Sequence, residues 1–502
     1  MTTENTSNNT SWFDAALRYI DSWLETQVSM DRQTPGYSVA VSKNGKVVYS
    51  RAFGHANLEK NEALTPDHRF RVASHTKTFT ATAIMQLMAA GKLSIYEPAS
   101  KYLPFLQENP DNRIHEITIE EFLQHASGII RDGKDAGFFG LERDFPSKDE
   151  IIELCKEKPL VLDSSAHFKY SNVGYSLLGM IIEAASGQSY AEYIENAILK
   201  PLKLSKTTAK YEQKNGPYVT GYTGLSPEGQ RAPISSAMRT NGVVGAAGVC
   251  STAEDLCRFY SAVMPGNNQL LPDRLKRQML RQHWDTADGN ALNRGYGAGF
   301  SQNGFSQNGF SQNGFSQNGF SKSFSISGYG LGFSCNNLDG HPLNGHSGGM
   351  PGQITQTFFD CDEGIVVSVL SNAHTGNVFG FQQGIWHILD AFKAAYDPAS
   401  PLLKYSGKFH NIWWACHFVP LGNTIFLTNP THLHPFKECA QIKHIKDHTF
   451  QVTKDQGLGT RDEHVQFVMD GDTATSVTYM GIPMMRQKAY EDYIQNLQKR
   501  AA

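Results

Sequence analysis

The chain of 502 residues has no apolar run of about 18 or more residues, so no segment reads as a membrane-spanning helix. It has no long basic block, and its formal net charge is −3. That removes the broad positive footprint of a nucleic-acid binder. Its cysteines, at 155, 250, 257, 335, 361, 416 and 439, are odd in number, scattered and without a CxxC pair. Buried free thiols in a reducing cytosol fit that pattern, and no spacing or partner marks one of them as a nucleophile. The N-terminus, MTTENTSNNTSWF, lacks a basic start and an apolar stretch, so no secretory signal is expected and the expected location is cytoplasmic. What the chain does have is apolar content, 40% hydrophobic and 11% aromatic, enough to fill more than one core.

Residues 1–10 are polar and expected to be disordered. Trp12, Phe13, Leu17, Ile20, Trp23 and Leu24 recur at helical spacing. YSVAVSKNGKVVYSRAFG then places two β-rich runs around Asn44-Gly45, a strong hairpin signal. Helices are expected from Ser74 to about Ala90, over 117–127, as two pieces within 172–200 split at Ser186-Gly187, and after Ser251 or Thr252 as N-cap. Strands return over 328–372, and a further helix is expected over 375–397. Strands early, helices in the middle and strands late predict an α+β fold, with an antiparallel sheet made from both ends of this region and flanked by helices. Residues 402–486 alternate short strand-like runs with turns, which predicts a small antiparallel β-barrel-like domain, and 487–502 predicts a charged terminal helix. The expected division is therefore 11–397, 402–486 and 487–502.

FSQNG occurs four times without interruption from Phe300 to Gly319 and then decays. A period of five suits neither helix nor strand, so a disordered loop inserted over 300–325 is expected. A self-association segment or lid is the alternative.

Three short motifs carry chemistry. In Ser74-His75-Thr76-Lys77, residues three apart share a helix face, so the Lys77 amine falls beside the Ser74 hydroxyl at a helix start, where backbone N–H groups favour an oxyanion. A serine needs a base, and a lysine serves only if burial or neighbouring charge lowers its pKa. In Tyr170-Ser171-Asn172, a phenol can relay a proton and an amide can hold Lys77 and a substrate carbonyl. In His346-Ser347-Gly348-Gly349, small residues on a strand let a substrate backbone approach, and backbone N–H groups can complete an oxyanion hole. Taken singly, each has an ordinary reading: an N-cap beside a solvated lysine, a loop with Asn172 as a cap, and a glycine-rich hairpin end.

Together, and in this order, they make the chain resemble serine β-lactamases and penicillin-binding proteins, with their S-x-x-K, S-D-N and K-T-G motifs. It looks most like the class C branch, whose middle motif is Tyr-x-Asn, and which includes D-aminopeptidases, DD-peptidases and esterases. The resemblance runs from about residue 35 to 395 through ITIEEFLQHASGI, YSNVGYSLLGMIIEAASGQSYAEYI, LKPLKL, GVCSTAEDL and GHSGGMPG. The barrel-like segment looks like the small lipocalin-like domain some members append.

The resemblance implies that Ser74 forms an acyl-enzyme and that Lys77 and Tyr170 share its proton transfers. It implies that Asn172, His346, Ser347 and Gly348 contact substrate, and that the backbone N–H groups of Ser74 and Gly349 hold the oxyanion. It implies no metal and no organic cofactor. The expected partner is a small ester, amide or peptide; no nucleic acid or membrane span is expected, and oligomeric state is not legible. A β-lactamase or DD-carboxypeptidase is the first alternative, and a non-catalytic binding or assembly protein the second. Two departures stand out. His346 replaces the usual third-motif lysine, which predicts weak recognition of carboxylates and poor β-lactamase activity. LDSSAHFK, before Tyr170, lacks the common Pro-Gly. Asp132, Lys134 and Asp135 are expected in a solvated loop at the cleft, Trp413 and Trp414 in a core, and His432, His434, His444 and His448 on a β-domain surface, with zinc as the lesser reading.

Overall fold

The computed structural model describes residues 11–31, 33–157, 159–212, 216–235, 238–285, 324–437 and 439–501. Residues 1–10 and the FSQNG repeat, with the loop expected there, lie outside the described residues.

The chain opens with α1 (Trp12–Met30), whose N-cap Ser11 accepts from Asp14 N and whose Leu17, Ile20, Trp23 and Leu24 are buried. Strands β1 (Gly36–Lys43) and β2 (Lys46–Asn57) follow. Asn44 and Gly45 join them with φ of 50° and 79°, the paired left-handed turn whose twist suits a hairpin. A short β3 (Glu62–Ala63) precedes α2 (Thr76–Ala89). The α-helix begins two residues later than expected, because Ala73–His75 forms a 3-10 turn. Then come α3 (Ile119–Leu123), held by a Thr118/Glu121 capping box, and α4 (Lys148–Glu157), which the apolar spacing did not announce. Helix α5 (Asn172–Ser186) ends at Gly187 with φ 73°, and α6 (Ala253–Val263) starts from N-cap Thr252.

By contacts the chain divides into two compact units, Gln33–Gln382 and Met1–Arg32 with Gln383–Ala502. In the first, β4 (Trp284–Asp285), β5 (Phe324–Tyr329), β6 (Ser334–Leu338), β7 (His341–Met350), β8 (Gln353–Asp360) and β9 (Ile365–Ser371) complete a nine-stranded antiparallel sheet. Its order is β3-β2-β1-β9-β8-β7-β6-β5-β4, so the early hairpin joins the late strands through β1 and β9. Strands β8 and β9 are buried along their whole length, so both faces of the sheet are covered. Ala40 of β1 shares the main apolar cluster with Leu256 and Phe259 of α6. Three residues away, Tyr37 turns to the other face, where its ring meets Phe381 at 4.7 Å. Phe381 belongs to α7 (Val378–Ala395), whose Gln382 donates to Val367 O at 3.0 Å.

Helix α2 is buried nearly all round, which asks its polar residues to find partners inside. Thr78 donates to His75 O, Thr82 to Thr78 O and Thr80 to Gly245 O, all within 2.8 Å. Phe79 stacks on Phe259 with ring centroids 3.7 Å apart. Strand β7 pairs with β6 only as far as Gly345 but with β8 to Met350, which leaves the edge of 346–350 open beside the Ala73–His75 turn.

In the second unit, eight antiparallel strands, β10 (Gly407–His410) through β17 (Ile482–Met485), close into a barrel. Its interior is filled by Phe409, Phe418, Phe450 and Phe467. Helix α1 is tied to this unit: Trp23 Nε1 donates to His432 O at 2.9 Å, and Gln27 Nε2 to Pro430 O at 2.7 Å. Those bonds explain why α1 groups with the barrel, where its sequence position had assigned it to 11–397. The chain closes with α8 (Gln487–Ala501), whose Tyr490 stacks on His410. Trp413 is not core: it is 72% exposed at the connection after β10, and Trp414 is half-buried. Among the described residues no group of three or more His, Cys, Asp or Glu is placed to hold a metal. His444 instead meets Asp447 O, and His448 meets Tyr405 OH.

Trp23 is fully buried, and its removal leaves a cavity and takes from the His432 carbonyl the shorter of its two donors. Trp23→Ala is expected to destabilise the barrel unit by about 3–5 kcal/mol, read as a fall in the thermal transition of barrel tryptophan fluorescence.

Candidate active site

Ser74 sits in the 3-10 turn that leads into α2, just after Ala73, which is buried with φ 48°. A left-handed alanine is strained, and such strain marks a turn held by its surroundings. The turn is pinned by Val72 N to Val249 O (3.2 Å) and Val249 N to Thr76 Oγ1 (3.0 Å). Ser74 is left partly exposed, whereas Lys77, one turn on, is fully buried.

Lys77 Nζ lies 3.0 Å from Ser74 Oγ, 2.7 Å from Asn172 Oδ1 and 3.1 Å from Ala246 O. Burial pushes its pKa well below the ordinary lysine value; nearby Arg131 adds to the fall, and Asp132 opposes it. The amine is therefore held toward its neutral, basic form. Tyr170 OH donates to Ser74 Oγ at 2.9 Å, and Lys77 Nζ stands 4.8 Å from the centre of that phenol ring. The hydroxyl, the amine and the phenol expected from sequence thus meet at one oxygen.

Asn172 is the first residue of α5, but its cap is Ser171, whose Oγ accepts from Gly174 N at 2.9 Å. That frees the Asn172 amide. Its Oδ1 faces Lys77, and its Nδ2 donates to Asp132 Oδ1 at 2.5 Å, while Asp132 Oδ2 accepts from Arg131 Nε at 2.7 Å. Asp132, expected in a solvated loop, is 11% exposed in its side chain and belongs to this chain of bonds. Lys134 and Asp135 stay on the surface, paired with Glu157 and Arg143.

His125 was not singled out by sequence. It occupies the left-handed position after α3, φ 59°, which glycine usually takes. Its carbonyl accepts from Lys169 N (2.6 Å), its Nδ1 accepts from Ser171 N (3.1 Å), and its ring lies 4.1 Å from that of Tyr170. It clamps the residues on both sides of Tyr170. Burial, then Lys77, His346 and Arg131, push its pKa well down, so it is neutral. The only sequence signal was a non-glycine directly after a short capped helix.

His346 is 3% exposed. Its Nδ1 donates to Ser347 O at 2.6 Å, and its Nε2 accepts from Tyr329 OH at 2.9 Å. Burial and the proximity of Lys77 bring its pKa down to about 3, so it carries no charge at neutral pH. Ser347 and Gly349 alternate with it along β7 and are half-buried. At Gly348 an added Cβ would stand 2.1 Å from Val72 O, so the strand lies directly against the turn that carries Ser74. Next to this cluster, a cavity of about 280 Å³ has Asp132 and Asn172 on one side and Phe138, Ile151, Leu154, Val173 and Val243 as apolar wall.

Because the backbone contact at Gly348 leaves no room, Gly348→Val is expected to cost at least about 1–3 kcal/mol by overpacking, measured by urea denaturation. Ser347→Ala, at a half-buried position, is expected to stay within about 0.5 kcal/mol in the same measurement.

Comparison with known proteins places the chain in a family. The profile of the family described as Beta-lactamase matches residues 20–387. Over 194 residues the chain is 32% identical to Protein flp of Staphylococcus aureus, covering 37% of this chain and 38% of that protein. The chain thus matches well under half the length of that relative. The octameric penicillin-binding protein homologue of Pyrococcus abyssi superposes with a TM-score of 0.61 at 21% identity, over 94% of this chain and all of that one, a likeness of fold. The D-stereospecific amidohydrolase of Streptomyces sp. superposes with a TM-score of 0.54 at 25% identity, over 72% of this chain and 94% of that one.

Proposed function

The chain belongs to the beta-lactamase family, and from that membership we propose that it is a serine hydrolase that cleaves carboxylic amides or esters through an acyl-enzyme on Ser74. The observation that carries this reading is the fully buried Lys77 amine 3.0 Å from Ser74 Oγ, with its pKa driven down by burial. A neutral amine offers a lone pair to the serine O–H. As Oγ bonds to the substrate carbonyl carbon, its proton passes to the Lys77–Tyr170 pair and from there to the departing amine or alkoxide. Water then attacks the acyl-enzyme, gives its proton to the same pair, and the carboxylic acid leaves with Ser74 restored. Asn172, fixed by Asp132, keeps the amine aimed at Ser74. The backbone N–H groups of Ser74 and Gly349 are assigned to the oxyanion, which collects the charge of the tetrahedral intermediate.

The amide side of this reading draws support from the likeness to the D-stereospecific amidohydrolase of Streptomyces sp.. The uncharged His346 speaks against a β-lactamase, since it offers no cation to a substrate carboxylate. Seven free cysteines, six of them buried, support a reducing compartment. No described helix is long and apolar enough to cross a membrane.

A fluorophosphonate probe is expected to label the wild type and not Ser74→Ala; equal labelling of both ends the serine reading. Lys77→Arg is expected to lose at least about 10³-fold in the hydrolysis of p-nitrophenyl esters or D-aminoacyl anilides, because arginine stays protonated. Nitrocefin turnover is expected to fall at least about 100-fold below that of the best simple amide or ester, a difference of about 3 kcal/mol.

The pH dependence has a definite sign. Activity needs neutral Lys77, so kcat/KM rises with pH along an acid limb that lies well below the ordinary lysine value. The Asp132 charge raises the Lys77 pKa, so Asp132→Asn is expected to move that limb to lower pH, and Asp132→Glu to restore it. An unmoved limb in Asp132→Asn removes Asp132 from the charge balance of the site.

A further inference from the structure

The barrel unit holds a second cavity, of about 310 Å³, bounded by α1, the end of α7 and the barrel residues 403–408 and 417–420. That is the lower end of the size range of small-molecule pockets. Its walls are aromatic and aliphatic, from Tyr19, Phe392, Phe418 and Val419. Its charged lining is Arg18 and Lys408, and among the described residues no carboxylate lines it. Lys408 is half-buried; its ammonium donates to Thr26 Oγ1 at 3.2 Å, and burial lowers its pKa against the opposing pull of Glu25, which does not line the cavity. His417 also faces this cavity. It is 5% exposed, and its Nε2 reaches Ser22 Oγ only at 3.5 Å, the outer limit of a hydrogen bond. Two cations and an under-bonded imidazole therefore share an apolar cleft with no anion among its lining residues.

We propose that this cleft binds a small amphipathic carboxylate, an acid with a short aliphatic or aromatic body. The carboxylate would lie between Arg18 and Lys408, within reach of Ser22 and His417, and the body against Phe392, Phe418 and Val419. A charge-assisted bond to a half-buried ammonium is stronger than the hydroxyl contact it replaces, and the apolar wall adds the area term. The barrel interior is already filled by aromatic side chains, and the cleft outside it has room for a small ligand. The site is separate from Ser74 chemistry and stands or falls without it.

Isothermal titration of the full chain with octanoate, octanol and acetate tests the charge and the apolar body separately. Octanoate is expected to bind one to one with a dissociation constant below about 1 mM, and octanol and acetate each at least about tenfold more weakly. Arg18→Gln, at an exposed helix position that tolerates change, is expected to weaken octanoate at least about threefold, and Lys408→Gln at least about tenfold, with octanol unchanged. Val419→Trp, which fills the cleft, is expected to abolish the binding. Octanoate is also expected to raise the melting temperature of the wild type more than that of the variants. Equal affinity for octanoate and octanol, no saturable heat with octanoate, or octanoate affinity unchanged in both charge variants each overturns the proposal.

Discussion

A fully buried amine sets the terms for everything near Ser74. Dehydrating an ammonium costs several kcal/mol, so the interior shifts the protonation equilibrium instead. Lys77 can be dehydrated only if α2 is enclosed, and it is, nearly all round, by α5, residues 190–199 and 244–247, and Phe259 of α6. Enclosure in turn requires that each hydroxyl on α2 find an internal acceptor, which Thr78, Thr80 and Thr82 do. The partners left for Nζ are two carbonyl oxygens and one serine oxygen. The polar threonines of a buried helix and the reactivity assigned to Ser74 thus answer the same constraint.

The same dehydration reaches the two histidines. His125 and His346 are buried, and each is kept neutral by burial and by Lys77. His125 uses Nδ1 to hold the backbone beside Tyr170, and His346 uses both ring nitrogens, one on its own strand and one on Tyr329. Charge near the site is carried by Arg131 and Asp132, which lean on one another. Under the proposed function, recognition at β7 falls to backbone groups and shape rather than to a cation, with the strand held close to the Ser74 turn at Gly348.

The parts of this site that sequence reveals are those fixed by local geometry. Ser74 and Lys77 are three apart on one helix turn, so their meeting follows from helical pitch. Tyr170 and the 346–349 stretch lie far away in the chain, and only the joint order of the three motifs tied them to Ser74. Asp132 and His125 stayed hidden because their roles rest on contacts between loops, which leave no period in the sequence. Asp132 follows an arginine and reads as a surface ion pair; its bond to Asn172 exists only once α5 has docked. Trp413 misled for a related reason: hydrophobicity argues for burial, but a residue at a strand connection can face solvent. The grouping of α1 with the barrel unit rests on long-range bonds to 430–432, some four hundred residues downstream, which leave no mark in its own sequence.

The sheet also explains how a five-residue repeat sits in sequence so near the strands of the candidate site. Strands β4 and β5 pair with one another although residues 286–323, which contain the repeat, separate them. Closure entropy grows only with the logarithm of the connection, so added copies weigh little on that pairing. What fixes β5 is its register with β6 and the burial of Tyr329, whose hydroxyl is bound to His346 and whose ring packs near that of Tyr170. A shift of β5 by one residue would turn Tyr329 to the opposite face and leave His346 Nε2 unpaired inside the protein. The cost of that slip falls on the strand itself, however long the connection grows, so the position of the Tyr329 phenol at His346 does not depend on the number of repeats.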